Sequence, residues 1–437
     1  MLLEPASNDE FVAPPATPVA AEASRRAYDS ARRLGLSRRE FLRSTFGTAV
    51  ALSALMACEK EERQANRPGT GAGGDYDLPK DAGSDPDAAA EALAPGAGEV
   101  VIDVQTHFLD PDDLGFGRNF PQASCGAEAR LCFTIDRWAD LVLGSSDTAL
   151  AVLSAIPVLD SENPMSITKM EEARRRADIL CGADDTRAIR VLLQGEAFPQ
   201  YGRLPAGLER MTALATEHRI VAWKTYTHVG AGYSLTDPVG EAFLDHVTAL
   251  ADAGTGPRIV CVHKGFGADP ADLGPAAAAH PELTFVAYHS GFEANVTEGP
   301  YADDGAGVDR FVRSLRQAGI GPAGNVYAEL GSTWRAVLSR PDEAAHTLGK
   351  LLTAVGPERI LWGTDSIWYG SPQDQIEAFR AFAITPEFQE RFGYPALDAP
   401  AKRAILGANA ARLHGLDLAA LAGEPGACRV GDGHGAE

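Results

Sequence analysis

Six polar side chains stand where short apolar runs of this chain end. They are Gln105 and His107 in "VIDVQTHF", Lys224 in "IVAWKTY", His263 in "IVCVHKG", His289 in "FVAYHSG" and Asp365 in "ILWGTDSIW". Imidazole and carboxylate are donors that suit Zn2+, and a catalytic zinc keeps one position open for water. The ion lowers the pKa of that water to about 7, which makes hydroxide available at neutral pH. A carboxylate that touches both ion and water can take the proton and hand it to a leaving group. A second imidazole, not itself a ligand, can polarise the scissile group or hold a developing oxyanion. Side chains alternate along a strand, so Asp103, Gln105 and His107 share one face. Lys224, Tyr226 and His228 share another. Of the other His, five (His218, His246, His280, His346, His414) fall in helix-like segments and His434 in the tail, where packing or surface roles are expected.

These residues need a frame that brings strand ends together. Apolar, β-rich runs recur at Val100–Val104, Ala149–Ile156, Ala188–Leu193, Ile220–Tyr226, Arg258–His263, Leu283–His289, Asn325–Leu330 and Arg359–Gly363. Helix-period segments separate them, clearest at Thr134–Leu143, Ser166–Cys181, Gly207–Glu217, Pro238–Ala253, Val308–Ala318 and Pro341–Val355. Two more, Pro372–Ala383 and Ala401–His414, follow the last run. Strands apolar on both faces belong to parallel sheets covered by helices. Alternating units of this kind over residues 99–418 predict a (β/α)8 TIM barrel, an α/β fold whose chemistry sits at the C-terminal ends of its strands. A doubly wound open sheet would want a Gly-rich phosphate turn after its first strand, and "DVQTHFLDPDDLG" is not one.

The flanks have other compositions. A 13-residue stretch without charge, Thr45–Ala57, follows "SRREFLR" and precedes Cys58. It is too short for a standard spanning helix and suits an export signal. The twin Arg38-Arg39 resembles a twin-arginine (Tat) signal, and "LMAC" at Leu55–Cys58 resembles a lipobox. Residues 1–58 are therefore expected to direct export to the periplasm, with a lipid anchor at Cys58. Gly-, Ala-, Pro- and Asp-rich residues 59–98 are expected to form a flexible linker. Residues 419–437 are expected to be a flexible tail. A formal net charge of -21 argues against nucleic acid as a partner. The expected partners are a small-molecule substrate, the Tat machinery and a second copy of the chain in a homodimer. The six Cys lack CxxC spacing, against a thiolate zinc site. Cys125 and Cys132 are either a disulfide or two free thiols.

The ordered set after strands 1, 4, 5, 6 and 8 resembles the amidohydrolase superfamily. "VIDVQTHF", "IVCVHKG", "FVAYHSG" and "ILWGTDSIW" are similar in particular to the amidohydrolase-related family, which holds aminocarboxymuconate-semialdehyde decarboxylase and aromatic acid decarboxylases beside hydrolases. The resemblance implies a deformed TIM barrel with one divalent ion, usually zinc. It implies His107, His263 and Asp365 as ligands and His289 as catalytic acid/base or electrophile. Gln105 stands where the family has its first ligand His, and its neutral amide oxygen is a weaker donor. Lys224, His263 and His289 also occupy the slots of a binuclear, carbamylated-lysine site. Lys224 could instead bind a substrate carboxylate, or pair with Glu329 or Asp365. Arg335 is a candidate partner for a substrate carboxylate, and Trp334, Trp368 and Tyr369 are candidate pocket walls. The implied activity is a metal-dependent hydrolysis of an amide, ester or lactone, with Asp365 shuttling the proton. The alternatives are non-oxidative decarboxylation of an aromatic or enoic acid at the same site, and a metal-free binding barrel.

Overall fold

The computed structural model describes residue 41 and residues 44–66, 71–110, 129–158, 163–181 and 189–422. The twin-arginine motif, Cys125 and the tail from residue 423 lie outside the described residues.

The barrel is built from β2 (Val101–Thr106), β3 (Thr148–Leu153), β4 (Val191–Glu196), β5 (Ala222–Thr225), β6 (Ile259–His263), β7 (Thr284–Tyr288), β8 (Val326–Glu329) and β9 (Ile360–Leu361). They form one eight-stranded sheet in sequential order, each neighbouring pair parallel. The sheet closes where Val104 N donates to Trp362 O and Asp365 N donates to Gln105 O. This is a (β/α)8 TIM barrel, with each strand falling on one of the eight apolar runs. β2, β4, β5 and β8 are buried along their whole length, as strands covered on both faces must be.

The outer ring includes α3 (Ile167–Leu180), α4 (Leu204–Glu217), α5 (Pro238–Asp252), α6 (Leu273–Ala279), α7 (Val308–Gln317) and α9 (Pro341–Val355). The short α8 (Thr333–Val337) precedes α9, and α10 (Gln373–Ala381) follows the last strand. α5 starts where Asp237 accepts hydrogen bonds from Val239 N and Gly240 N and Pro238 fixes the first turn. Buried charge ties the ring together: Lys350 Nζ of α9 meets Glu298 Oε2 at 2.5 Å and Asp309 Oδ1 of α7 at 2.6 Å.

The N-terminal flank departs from expectation. Residues 71–98 are not a free tether. β1 (Gly74–Tyr76) pairs antiparallel with β10 (Phe382–Ile384), and α2 (Pro86–Ala92) follows it. Composition hides this because the pairing uses backbone groups about 300 positions apart in sequence. One aromatic secures it: Tyr76 is buried and its hydroxyl donates to Leu338 O. The apolar stretch lies inside α1 (Thr45–Asn66), which buries Ala49, Val50, Leu52 and Leu55. There Thr45 Oγ1 donates to Glu377 Oε1 of α10 at 2.6 Å. Among the described residues no helix is long and apolar enough to cross a membrane.

Candidate active site

The strand ends converge on a cavity of about 410 Å3 whose lining includes Gln105, His107, His228, His263, His289, Asp365 and Trp368. Backbone strain concentrates here. The described non-glycine residues with positive φ are Phe266, His289, Ser290, Ser332 and Asp365, and four of the five line the cavity. Residues held in sparsely populated backbone regions cost about 1–3 kcal/mol each and mark sites where side-chain direction is enforced.

Asp365 is the centre of one half. Its Oδ1 accepts from His107 Nε2 at 3.0 Å and from Gln105 Nε2 at 2.9 Å, and its Oδ2 accepts from Ser332 Oγ at 2.6 Å. Burial pushes this carboxyl up, but the hydrogen bond and charge of His107, with those of His289 and Ser332, outweigh it and hold Asp365 below the ordinary carboxylate range. Tyr369 OH lies 2.8 Å from Ser332 Oγ. Ser332 already donates to Asp365, so Tyr369 is the donor. Beneath, Asp103 ties β2 to the last rim loop: Oδ1 accepts from Gln105 N and Thr364 N, both at 3.1 Å, and Oδ2 from the Thr364 hydroxyl. Burial pushes Asp103 up to about 7.

The other half is an imidazole pair. His289 Nδ1 lies 2.7 Å from Gly331 O, and a carbonyl only accepts, so that nitrogen carries the proton. In the neutral ring His289 Nε2 is then the acceptor, and His263 Nδ1 donates to it at 3.2 Å. His263 Nε2 is left as a lone pair. Burial, then the charge of His289 and of Lys224, holds His263 well below the usual imidazole value. His289 is lowered to about 4, by burial first and partly offset by the negative charge of Asp365. The His263 ring stacks on Tyr226 and His228, with centroids 5.0 and 4.7 Å away. His289 is fixed from behind, its backbone N–H donating to Glu329 Oε2 at 3.0 Å.

Gln105, His107, His228, His263, His289, Asp365, Trp368 and Tyr369 are brought together, and Trp368 stacks on His107 at 5.3 Å. Three sequence candidates lie elsewhere. Lys224 is buried under the floor, its Nζ 3.4 Å from the Tyr288 ring centroid and without a hydrogen bond, and burial lowers it to about 7. Trp334 does not wall the pocket: its indole N–H donates to Gln375 O at 2.9 Å and its ring packs on Phe379 and Phe382. Arg335 sits outside the cavity, 3.8 Å from Asp374 Oδ2 and over the Tyr369 ring. The left-handed turn at Ser332 sends the next residues outward and presents the serine itself. Sequence reasoning missed Ser332, although the Gly-Ser step after a barrel strand was the available signal.

The donor set does not assemble around an implied ion. Among the described residues no three His, Cys, Asp or Glu side chains converge as a metal site. The would-be ligands are instead engaged in two separate hydrogen-bonded groups, His107–Gln105–Asp365 and His263–His289. The buried Gln105 oxygen has no hydrogen-bond partner and lies beside Gly331 and Glu329: a Cβ placed on Gly331 would meet it at 2.2 Å and Glu329 Oε1 at 2.6 Å. This arrangement does not fit a resident divalent ion.

A family model described as amidohydrolase matches residues 102–416. The chain belongs to the amidohydrolase family. It is therefore an enzyme. No curated protein matches the chain. Among solved structures, it is similar to a probable 2-pyrone-4,6-dicarboxylic acid hydrolase from Acinetobacter baumannii, solved with citric acid bound: 13% identity, TM-score 0.45, covering 72% of this chain and 99% of that one. A 2,6-dihydroxybenzoate decarboxylase from Rhizobium gives 16%, 0.42, 72% and 99%. A 5-carboxyvanillate decarboxylase from Novosphingobium aromaticivorans, complexed with manganese, gives 14%, 0.41, 74% and 99%. These likenesses concern the barrel fold.

Proposed function

We propose that this amidohydrolase-family enzyme hydrolyses an ester, lactone or amide carbonyl of a small molecule, using protein groups alone to activate water. The observation that carries the proposal is the directed imidazole pair, with His263 Nδ1 donating to His289 Nε2 and His289 Nδ1 anchored on Gly331 O. His263 Nε2 takes a proton from the attacking water. The Nδ1 proton of His263 passes to His289 Nε2, leaving a neutral His263 and a cationic His289. The proton rests on His289, where the negative charge of Asp365 favours it. Asp365 stays ionised and balances the cation, held in place by three donors rather than serving as the base. His228, on the lining and without a hydrogen bond of its own, is the N–H donor available to the carbonyl oxygen. The relay then returns its proton to the leaving group.

The test is a panel of aryl esters, lactones and anilides assayed beside aromatic acids monitored for CO2 release. Hydrolysis lost in both His263→Ala and His289→Ala is the expected result. CO2 release without hydrolysis would replace this reading with the decarboxylase one. Export to the periplasm by the Tat route, with or without a lipid at Cys58, is part of the proposal: Cys132 and Cys181 are disulfide-bonded, which suits an oxidising compartment.

A further inference from the structure

The cavity lining contains no lysine or arginine among the described residues. The cations that follow its strands are each engaged elsewhere. Lys224 lies on the Tyr288 ring below the floor. Lys264 Nζ, next to His263 in sequence, meets Asp272 Oδ1 at 2.6 Å, Thr227 Oγ1 at 3.0 Å and Asp269 O at 2.9 Å. Arg335 lies behind Tyr369 with Asp374. The fixed formal charge on the lining is a carboxylate, Asp365. Its neighbour His107 is committed to it, and both His289 nitrogens are committed to Gly331 O and His263. Gln105 and Ser332 donate to Asp365, the Tyr226 and Tyr369 hydroxyls are bonded to Ala155 O and Ser332, and the apolar wall comes from Ile156, Pro157, Val229, Phe266 and Trp368.

We infer, on the hydrolytic reading above, that the substrate is uncharged, a neutral aryl or alkyl ester, lactone or amide, and that carboxylated analogues are excluded. A carboxylate entering this cavity gives up its water for apolar wall and meets a fixed anion with no cation to answer it. A neutral carbonyl compound loses little solvation and needs one N–H donor, which His228 offers. The aromatic faces of Trp368 and Phe266 give an aryl or alkyl group its contact surface.

The decisive comparison is 4-acetoxybenzamide against 4-acetoxybenzoate, which differ in charge and hardly in size. The expected kcat/KM ratio favours the amide by about 100-fold or more. Equal or better turnover of the benzoate overturns the inference. Calorimetric binding of benzamide and benzoate is measured in parallel. If neither ester is hydrolysed yet benzamide binds and benzoate does not, the hydrolytic reading fails and the charge selectivity stands. If benzoate binds as well as benzamide, or neither binds, the selectivity is wrong. Val229→Lys places an ammonium at the rim and, with Tm confirming a folded protein, is expected to narrow the ratio at least about tenfold. An unchanged ratio places discrimination outside this cavity and also overturns the inference.

Discussion

Asp365→Asn isolates the charge at the centre of the site. The residue has φ of +61°, a region that Asn tolerates as well as Asp, so the backbone need not move. The carboxylate accepts from three donors. An amide oxygen can keep the two on Oδ1, His107 and Gln105, while the new NH2 faces the Ser332 hydroxyl and turns it away. Each hydrogen bond to a charged acceptor falls from about 1.5–3 to about 0.5–1.5 kcal/mol. That loss is opposed by removing a buried charge, so the net stability change is expected to stay within about 1 kcal/mol. Catalysis responds differently. The cation forming on His289 loses its counter-charge, and removal of one such stabilising group costs about 10²–10³ in kcat. The acid limb of the kcat/KM profile moves to lower pH, because Asp365 is what partly holds His289 up. The assay is hydrolysis of a neutral aryl ester from pH 3.5 to 9, with Tm measured on the same samples. Activity within about threefold of wild type, or an acid limb moving upward, refutes the role of Asp365 as counter-charge to a protonated relay.

Four further outcomes are expected. His289 is lowered to about 4 against an unfolded value of about 6.5, so kcat/KM rises through about pH 4 to a plateau. For the same group stability is present above about pH 6.5 and lost as pH falls toward 4. Its size is about 3 kcal/mol, checked by urea titration across that window. Lys350→Met leaves Glu298 and Asp309 buried without their cation and is expected to cost about 3–5 kcal/mol. Adding Glu298→Gln and Asp309→Asn should recover most of that in chemical denaturation. Lys224→Met removes a buried ammonium that makes no hydrogen bond and is expected to stabilise the fold by about 1–4 kcal/mol, read as a higher urea midpoint. Elemental analysis of purified enzyme is expected to find less than stoichiometric divalent metal and activity unchanged by chelator, whereas Gln105→His is expected to bind added Zn2+ measurably more tightly.

The barrel was legible because strands buried on both faces leave little room for polar residues, and each exception could be noticed. Val101–Thr106, Ile259–His263 and Thr284–Tyr288 fall almost where their apolar runs do. The polar residues closing those runs, His107, His263 and His289, converge because barrel topology makes strand ends neighbours. What was not legible depends on backbone angle or on distant pairing. Trp334 and Arg335 follow a strand just as His263 and Asp365 do, but the turn at Ser332 points them away from the cavity, and nothing in the residue types announces a positive φ at serine. The helix expected to run from Pro372 to Ala383 stops at Ala381, since Phe382–Ile384 is taken as a strand by Gly74–Tyr76. That partner lies in a stretch whose composition suggests no structure at all.

Gln105 shows how a single side chain changes the chemistry of a shared frame. A ligand histidine at that position would offer a lone pair to an ion. Gln105 offers N–H hydrogens instead, and they point at Asp365, the residue a metal would need. His107 does the same from two positions on, and Ser332 completes the set. Positive charge on a metal is thereby replaced by three partial charges on hydrogens, enough to keep the carboxylate ionised but not enough to make a water acidic. Water activation must then come from a base with a free lone pair. The tautomers imposed by Gly331 O leave one such atom in the imidazole pair, His263 Nε2. The substitution that weakens the case for an ion is thus the one that makes the imidazole relay necessary.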